Sequence, residues 1–489
     1  MEYNKTEDST NKKDNRSKFS IRSFLSNVSI YGILPVTGKF ISFFLIPIYA
    51  RVFSSYEFGI IELVITFVHF AIFACNLEFY GAIGRFFHER ISIKKKRELI
   101  STGLFLTLFF TFLTSIIIYL GEDIIIEKYL DGGEYRNLLR LGIVWMIFSA
   151  IYTYLGVIPR YDNKPRIYVI INASAIIIRV ASTICYVLVF KTGITGVLYG
   201  HITGALSATI MNGIVTAKYL GWFFNFREVK AISKYAVPLV PGLLLIGLWN
   251  PLSRNIISQF FSVATLGLFS FAIRITSVLQ ILQKSIHLSW NPMIFENYKN
   301  NNFNKEVTKI SKFVGFIVFY ALIVLTLISP EISLYVGTEE YAESYILIGF
   351  LGVRGIFEIL KRLRGFGPLL EKKTYIITIT EIIGITIGLI LLFIFKNKYG
   401  LIGIGLAFSL PSILKYFILV NYTQTKYKIK FHNINEYILM VLVVVSIITV
   451  VINEDIFLRY SLLIAISIIV IYMYRESISQ FIKDRRKIF

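Results

Sequence analysis

Nine ionisable residues lie inside long apolar stretches of this 489-residue chain: Lys39, Glu62, Glu78, Arg179, Arg274, Lys284, Arg354, Glu358 and Glu381. If the stretches cross a bilayer, each central Lys or Arg costs about 2.5–3.5 kcal/mol. Unpaired, Lys39, Arg179, Arg274 and Arg354 would together cost roughly 10–14 kcal/mol, comparable with the whole stability of a domain. They must therefore face a wet cavity, a partner side chain or an anion. Lys39, Arg179 and Arg274 have no acidic residue three or four positions away. Arg354 has Glu358 one helical turn on, so a local pair is open there. Arg274 and Lys284 would stand about 15 Å apart along one helix, as two rungs of a basic ladder. Every Asp falls in a loop or terminus. The chemistry this pattern suits is charge-assisted binding of a phosphate-bearing group by Lys39, Arg179, Arg254, Arg274, Lys284 and Arg354. Glu62 and Glu381 are candidates either for interhelical ion pairs or for carrying a coupling ion.

Residues for covalent or metal chemistry are sparse. His69, His88, His201, His287 and His432 are scattered and have no metal-ligand spacing. No phosphate-binding G-x-x-x-x-G-K-[ST] loop occurs, so ATP is not the expected energy source. Glu122-Asp123 is an acidic pair of the kind a lipid-sugar glycosyltransferase could use for a metal, and a solvated loop reads as well. Asp131-Gly132-Gly133 reads as a turn. Cys75 and Cys185 fall in apolar runs and imply no disulfide framework. The expectation is a non-enzymatic protein with no cofactor and no metal.

The elements that position these residues follow from composition. The chain is 55% hydrophobic and 17% charged, with mean hydropathy +0.66. A soluble chain carries about 25% charged residues, so a water-soluble enzyme and a disordered protein are both excluded. The net charge of +21 would suggest nucleic acid in a soluble protein. Here the basic residues lie in short loops, which makes them topology signals, and no nucleic-acid partner is expected. Apolar runs of helix-spanning length recur about 14 times. Strict two-residue alternation, the barrel signature, is absent. Four runs matter below: residues 28–50, 231–250, 264–290 and 342–360. The fold class is thus an all-α integral membrane protein. Two six-helix halves, 24–220 and 221–425, are expected around a central cavity. A polar cytoplasmic tail (1–23) precedes them, and an accessory helix pair with a basic tail (426–489) follows.

Loops alternate in charge. Arg85 to Arg97, Lys218 to Lys234 and Lys361 to Lys373 are basic; Glu122 to Glu134 and Glu331 to Glu343 are acidic. The positive-inside rule then puts both termini in the cytoplasm, as an even number of spans requires. Arg140 and Lys415, near span ends, read as snorkelling residues. The expected location is a bacterial cytoplasmic membrane.

The two halves look like repeats. Pro35-Val-Thr-Gly38 is followed by Pro47 and Arg51; Pro238-Leu-Val-Pro241-Gly is followed by Pro251 and Arg254. The interval from first Pro to Arg is the same in both. Gly59-Ile-Ile and Gly267-Leu-Phe then open the next span of each half. Proline inside a helix frees a carbonyl and kinks it. Pro35, Gly38, Pro47, Pro238 and Pro241 are the expected kink and gating positions.

Phe44-Leu-Ile-Pro-Ile-Tyr-Ala-Arg51-Val-Phe-Ser-Ser-Tyr-Glu-Phe-Gly59 resembles the opening of polysaccharide-biosynthesis flippases of the O-antigen (Wzx) type. These belong to the superfamily that also holds multidrug exporters and lipid II flippases. Tyr235-Ala-Val-Pro-Leu-Val-Pro241, Gly267-Leu-Phe-Ser-Phe-Ala-Ile-Arg274 and Trp290-Asn-Pro292 look like the same family's seventh and eighth spans. The resemblance covers most of residues 25–425. Such proteins often have Asp-Arg where this chain has Ser253-Arg254, which weakens a coupling role there. The multidrug exporters often use a first-span Asp, where this chain has Lys39. The resemblance implies a flippase for a polyprenyl-pyrophosphate-linked oligosaccharide, working by alternating access with H+ or Na+ coupling. It implies membrane lipids as surroundings and a functional monomer, since one chain holds both halves. The alternatives are a multidrug or cation exporter and a membrane glycan polymerase or ligase.

Overall fold

In the computed structural model, the described residues are 45–486. Excepted are 88, 91, 131–134, 163, 241–243, 245, 246, 372, 374, 396, 397, 430, 432, 433, 453 and 454. Within helices, the side chains of 165, 239, 280, 281, 284, 285, 287–289, 291, 292, 296 and 474–486 are also outside the description. Pro35, Gly38, Lys39, Pro241 and the 1–23 tail therefore lie outside the described residues.

Among the described residues the chain is helical, and no strand occurs. The first group is α1 (Leu45–Val52), α2 (Ser55–Asn76), α3 (Phe79–Phe86), α4 (Ile93–Leu120) and α5 (Glu122–Tyr129). It continues with α6 (Arg136–Gly156), α7 (Pro165–Ile184), α8 (Ile194–Thr216) and α9 (Phe226–Ala236). The second group is α10 (Trp249–Phe260), α11 (Val263–Asn297), α12 (Phe303–Leu327), α13 (Ser329–Val336) and α14 (Tyr345–Arg364). It ends with α15 (Tyr375–Phe395), α16 (Gly400–Tyr427), α17 (Ile434–Ile452) and α18 (Ile456–Arg486).

Among the described residues, ten helices are long and apolar enough to cross a membrane. The four remaining expected spans are informative. Residues 28–50 fall mostly outside the description. Residues 231–250 are not one helix: α9 ends at Ala236, a 3-10 turn covers Val237–Leu239, and α10 starts at Trp249. Helix α11 is apolar over Val263–Leu279, and the side chains of 280 and 281 that follow lie outside the description. Helix α14 carries Arg354, Glu358, Lys361, Arg362 and Arg364, too much charge for an apolar window. These last two helices line the interior rather than the lipid, which is why they tolerate charge.

Local signals fix the helix ends. Ser54 and Glu57 form a reciprocal capping box that opens α2. Ser262 opens α11 by accepting the Thr265 N–H at 2.9 Å. Leu77 and Glu78 have φ of 39° and 63°. Helix α2 therefore stops there, and Glu78 sits in a break between helices rather than inside a span. Pro47 lies in α1, whose described residues begin at Leu45, and Pro238 is exposed in the 3-10 turn after α9. Pro411 lies inside α16, and Pro292 falls within α11.

Helices α2 and α4 to α8 pack chiefly among themselves, as do α11, α12 and α14 to α17. The main junction between the groups is α2 against α11. Helix α9, placed by sequence at the start of the second half, packs instead on α3 and α4. Arg90 grips Glu228 of α9 with two 3.0 Å hydrogen bonds. Nearby, burial alone would push the Asp162 carboxyl up. Hydrogen bonds from Tyr219, Lys218 and Lys164 outweigh that and hold it down at about 2.

Candidate functional site

Among the described residues, a cavity of about 710 Å³ lies between α10, α11, α14, α15 and α16. Its lining carries five basic residues (Arg254, Arg354, Lys361, Arg362, Lys415) and two acidic ones (Glu358, Glu381). A cationic surplus in a water-accessible hollow is what an anionic ligand requires.

The charges sort into two kinds. Lys361 and Lys415 alternate with Glu358 and Glu381 around a closed ring. Lys361 Nζ is 2.6 Å from Glu358 and 2.5 Å from Glu381; Lys415 Nζ is 2.6 Å and 2.8 Å from the same two. This ring joins α14, α15 and α16 and neutralises itself. Arg354 is different. Its guanidinium lies over the Phe408 ring at 5.2 Å. Among the described residues no carboxylate comes within ion-pair distance of it; Glu358 is taken by the two lysines. The local Arg354–Glu358 pair left open by the sequence does not form.

Lys361 and Lys415 were not visible as site residues. Lys415 read as snorkelling, yet it is held between two carboxylates. Lys361 read as a loop residue, yet it lies inside α14, 6% exposed. A signal did exist: Arg354, Glu358 and Lys361 recur at helical spacing on one face.

A second cluster closes the junction between the helix groups. Glu62 of α2 receives Arg274 of α11 at 2.5 Å, and Arg254 of α10 approaches to 3.6 Å. The Arg274 guanidinium also lies 4.4 Å from the Phe58 ring centre and 5.1 Å from that of Tyr49. Arg274 is thus a paired cation, not a bare one. The N-terminal ends of α2 and α11 lie just beyond this cluster. The segment Glu339–Ser344 seals them. Glu340 accepts the Ser55 N–H at 2.9 Å, and the Tyr341 hydroxyl donates to the Phe53 and Ser54 carbonyls at 2.9 and 3.1 Å.

Arg179 lies elsewhere, in a smaller pocket between α2, α6, α7 and α8. Lys284 falls on α11, but its side chain is outside the description. The acidic pair Glu122 and Asp123 is engaged by arginines. Glu122 binds Arg136 at 2.8 Å and Arg140 at 2.9 Å, and Asp123 binds Arg136 at 2.5 Å. Among the described residues no group of three His, Cys, Asp or Glu side chains converges as a metal site.

Comparison with known proteins gives a consistent picture. A family model described as polysaccharide biosynthesis protein matches residues 48–346. An uncharacterized membrane protein of Haemophilus influenzae is 24% identical over 342 residues, covering 67% of this chain and 80% of that protein. Among solved structures, the lipid II flippase MurJ in an inward closed conformation superposes with a TM-score of 0.72. It is 16% identical and covers 92% of this chain and 99% of its own. An inward-facing multidrug resistance transporter of the MATE family gives 0.64 at 12% identity, over 84% of this chain and 98% of its own. At these identities the two structures establish the shared fold.

Proposed function

The chain belongs to the polysaccharide biosynthesis protein family, and from that membership we propose that it is a flippase. Its cargo is a polyprenyl-pyrophosphate-linked oligosaccharide, the repeat unit of an O-antigen, capsule or exopolysaccharide. It moves the cargo from the cytoplasmic to the outer leaflet of a bacterial cytoplasmic membrane, with both termini in the cytoplasm and one chain sufficient. The observation that carries this reading is Arg354, a cation on an aromatic ring in a cavity where the acids are already engaged. A pyrophosphate meets a prohibitive barrier in hydrocarbon unless fixed charges replace its water. Arg354, with Arg254 beside it, supplies them. A cation exporter fits poorly with five basic and two acidic lining residues. A polymerase or ligase loses its metal candidate, since Glu122 and Asp123 are held by Arg136 and Arg140.

Glu62 and Glu381 enter this mechanism as coupling carboxylates. Each already lies against two fixed cations. A proton that neutralises either one releases its partners to the cargo. A sodium ion would have to displace ammonium or guanidinium groups that cannot diffuse away, so H+ is the better coupling ion. A Na+-driven, pH-gradient-independent rate would remove this assignment.

The test uses proteoliposomes carrying lipid-linked oligosaccharide from the producing bacterium, with lectin capture at the opposite leaflet. The wild type is expected to transfer the lipid, and Arg354→Glu to slow transfer about 30-fold or more, as loss of a desolvated charge contact does. Transfer by both proteins at equal rates would keep the flippase and remove Arg354. No transfer by a folded wild type would overturn the reading.

A further inference from the structure

A second pocket opens in the first helix group, apart from the cavity around Arg354. It has a volume of about 230 Å³, and its walls include His69, Tyr152, Asn172, Arg179 and His201. The sequence scatters these residues over more than 130 positions, and no spacing links them. The fold brings them together because α2, α6, α7 and α8 meet there. Trp145 forms the floor, 4% exposed, with His69 at 5.3 Å and His201 at 4.3 Å between ring centres. The two imidazoles therefore line the pocket in front of a fixed apolar support. Tyr152 donates its hydroxyl to the Asn172 side-chain carbonyl, and Asn172 donates its amide to the Tyr168 carbonyl at 2.7 Å. These contacts hold both polar tips in place. Helices α7 and α8 approach so closely that a methyl group on Gly204 would press on Arg179 Cβ. The base of Arg179 is thereby fixed, while its guanidinium reaches the pocket. His69 is exposed and Arg179 half-buried, so the pocket is open.

This lining differs from that of the larger cavity. It holds one permanent cation and several groups that donate and accept hydrogen bonds, and it has no carboxylate in its walls. The volume is below the usual range for a drug-sized ligand and suits one ring. A pyrophosphate, an acceptor without donors of its own, would use only the donors among the tyrosine, the amide and the two imidazoles and leave their acceptor atoms idle. A sugar ring uses both, through its hydroxyls, and a ring that also bears a carboxylate uses Arg179 as well.

We infer that this pocket is a subsite for one acidic sugar of the cargo, with Arg179 receiving the carboxylate and His69, His201 and Asn172 receiving hydroxyls. The inference rests on the flippase reading and narrows it: the glycan contains a uronic-acid-type residue. The two anionic features of the cargo, pyrophosphate and sugar acid, then bind to different helix groups. Tyr49 lies near both Arg179 and Arg274, between the smaller pocket and the α2–α11 junction. Cargo that spans both pockets would report its presence to both sides of the α2–α11 junction.

The test is saturation-transfer NMR on the full chain in micelles, with methyl β-glucuronide, methyl β-galacturonide and methyl β-glucoside as probes, and inorganic pyrophosphate followed separately by phosphorus line broadening. At least one uronide is expected to show about tenfold stronger transfer than the glucoside. Arg179→Gln should remove that preference and leave the pyrophosphate signal intact; Arg354→Gln should do the reverse. If Arg179→Gln fails to fold, His201→Gln carries the same comparison. Equal signals from uronides and glucoside, no uronide signal, or a uronide signal lost in Arg354→Gln but kept in Arg179→Gln would each overturn the subsite. Loss of pyrophosphate binding alone would instead count against the flippase site.

Discussion

Glu436→Ala is expected to lower stability by about 3–5 kcal/mol, because it strands a fully buried guanidinium. Glu436 of α17 and Arg364 of α14 are both 0% exposed. Arg364 donates to both carboxylate oxygens of Glu436, to Ser311 and to the Tyr416 hydroxyl, and it faces the Phe431 ring at 5.7 Å. Gly315 makes room for the pair, since a methyl group there would lie 3.0 Å from the guanidinium. Removing the carboxylate leaves a charge with no water and no counter-ion. Removing both charges is different. An Arg364→Met, Glu436→Met double variant replaces the pair with apolar bulk, which is often neutral or stabilising. Thermal unfolding in detergent should therefore rank the single variant far below the wild type and the double variant near it. Equal losses in both would mean that the hydrogen bonds to Ser311 and Tyr416, not the charge, hold this region.

That pair also bears on what the last two helices do. The sequence marks residues 426–489 as accessory. The contacts tie them to the second helix group at both ends. Glu436 anchors one end of α17. At the other, Arg459 of α18 donates to Glu331 at 2.7 and 2.8 Å and to the Leu327 carbonyl at 2.8 Å. A helix pair clamped at two depths moves with the helices that hold it. Any rocking between the groups would carry α17 and α18 along with α12 and α14.

The apolar runs made most helices legible, because a bilayer demands a long uninterrupted stretch and little else. The cavity helices were harder for the same reason. Helix α14 has five charges and reads as a poor span, and charge on a helix that faces a hollow is no defect. The partners of those charges were invisible. Glu62 meets Arg274 across 212 positions, and only the fold sets which cations are neutralised. So the sequence could nominate Arg254, Arg274 and Arg354 together, but it could not separate Arg274, paired with Glu62, from Arg354. Lys361 and Lys415 show the opposite error, since nearness to a predicted span end hid them.

The repeat, by contrast, has a direct structural consequence, and substituting Gly267 tests it. Gly59 of α2 packs on the Val263 backbone of α11, and Gly267 of α11 packs on the Ser55 backbone of α2. The two contacts exchange under the repeat: each glycine lies four residues after the position that receives its counterpart. A methyl group on either would collide with a backbone carbonyl oxygen, which no rotamer change can relieve. Gly267→Val should therefore force α2 and α11 apart at the end where Glu62 meets Arg274 and Tyr341 caps Phe53. The readout is labelling of Phe58→Cys, a position 1% exposed, by a membrane-impermeant maleimide in a background without Cys75 and Cys185. Labelling should be slow with Gly267 present and about tenfold faster or more in Gly267→Val. A shift of only 1.4 kcal/mol in the closed-to-open balance suffices for a tenfold change, and overpacking alone typically costs about 1–3 kcal/mol. Gly59→Val should reproduce the effect, because it breaks the symmetry-related half of the same crossing. Slow labelling and normal transfer in both variants would mean that this crossing is not the closed gate.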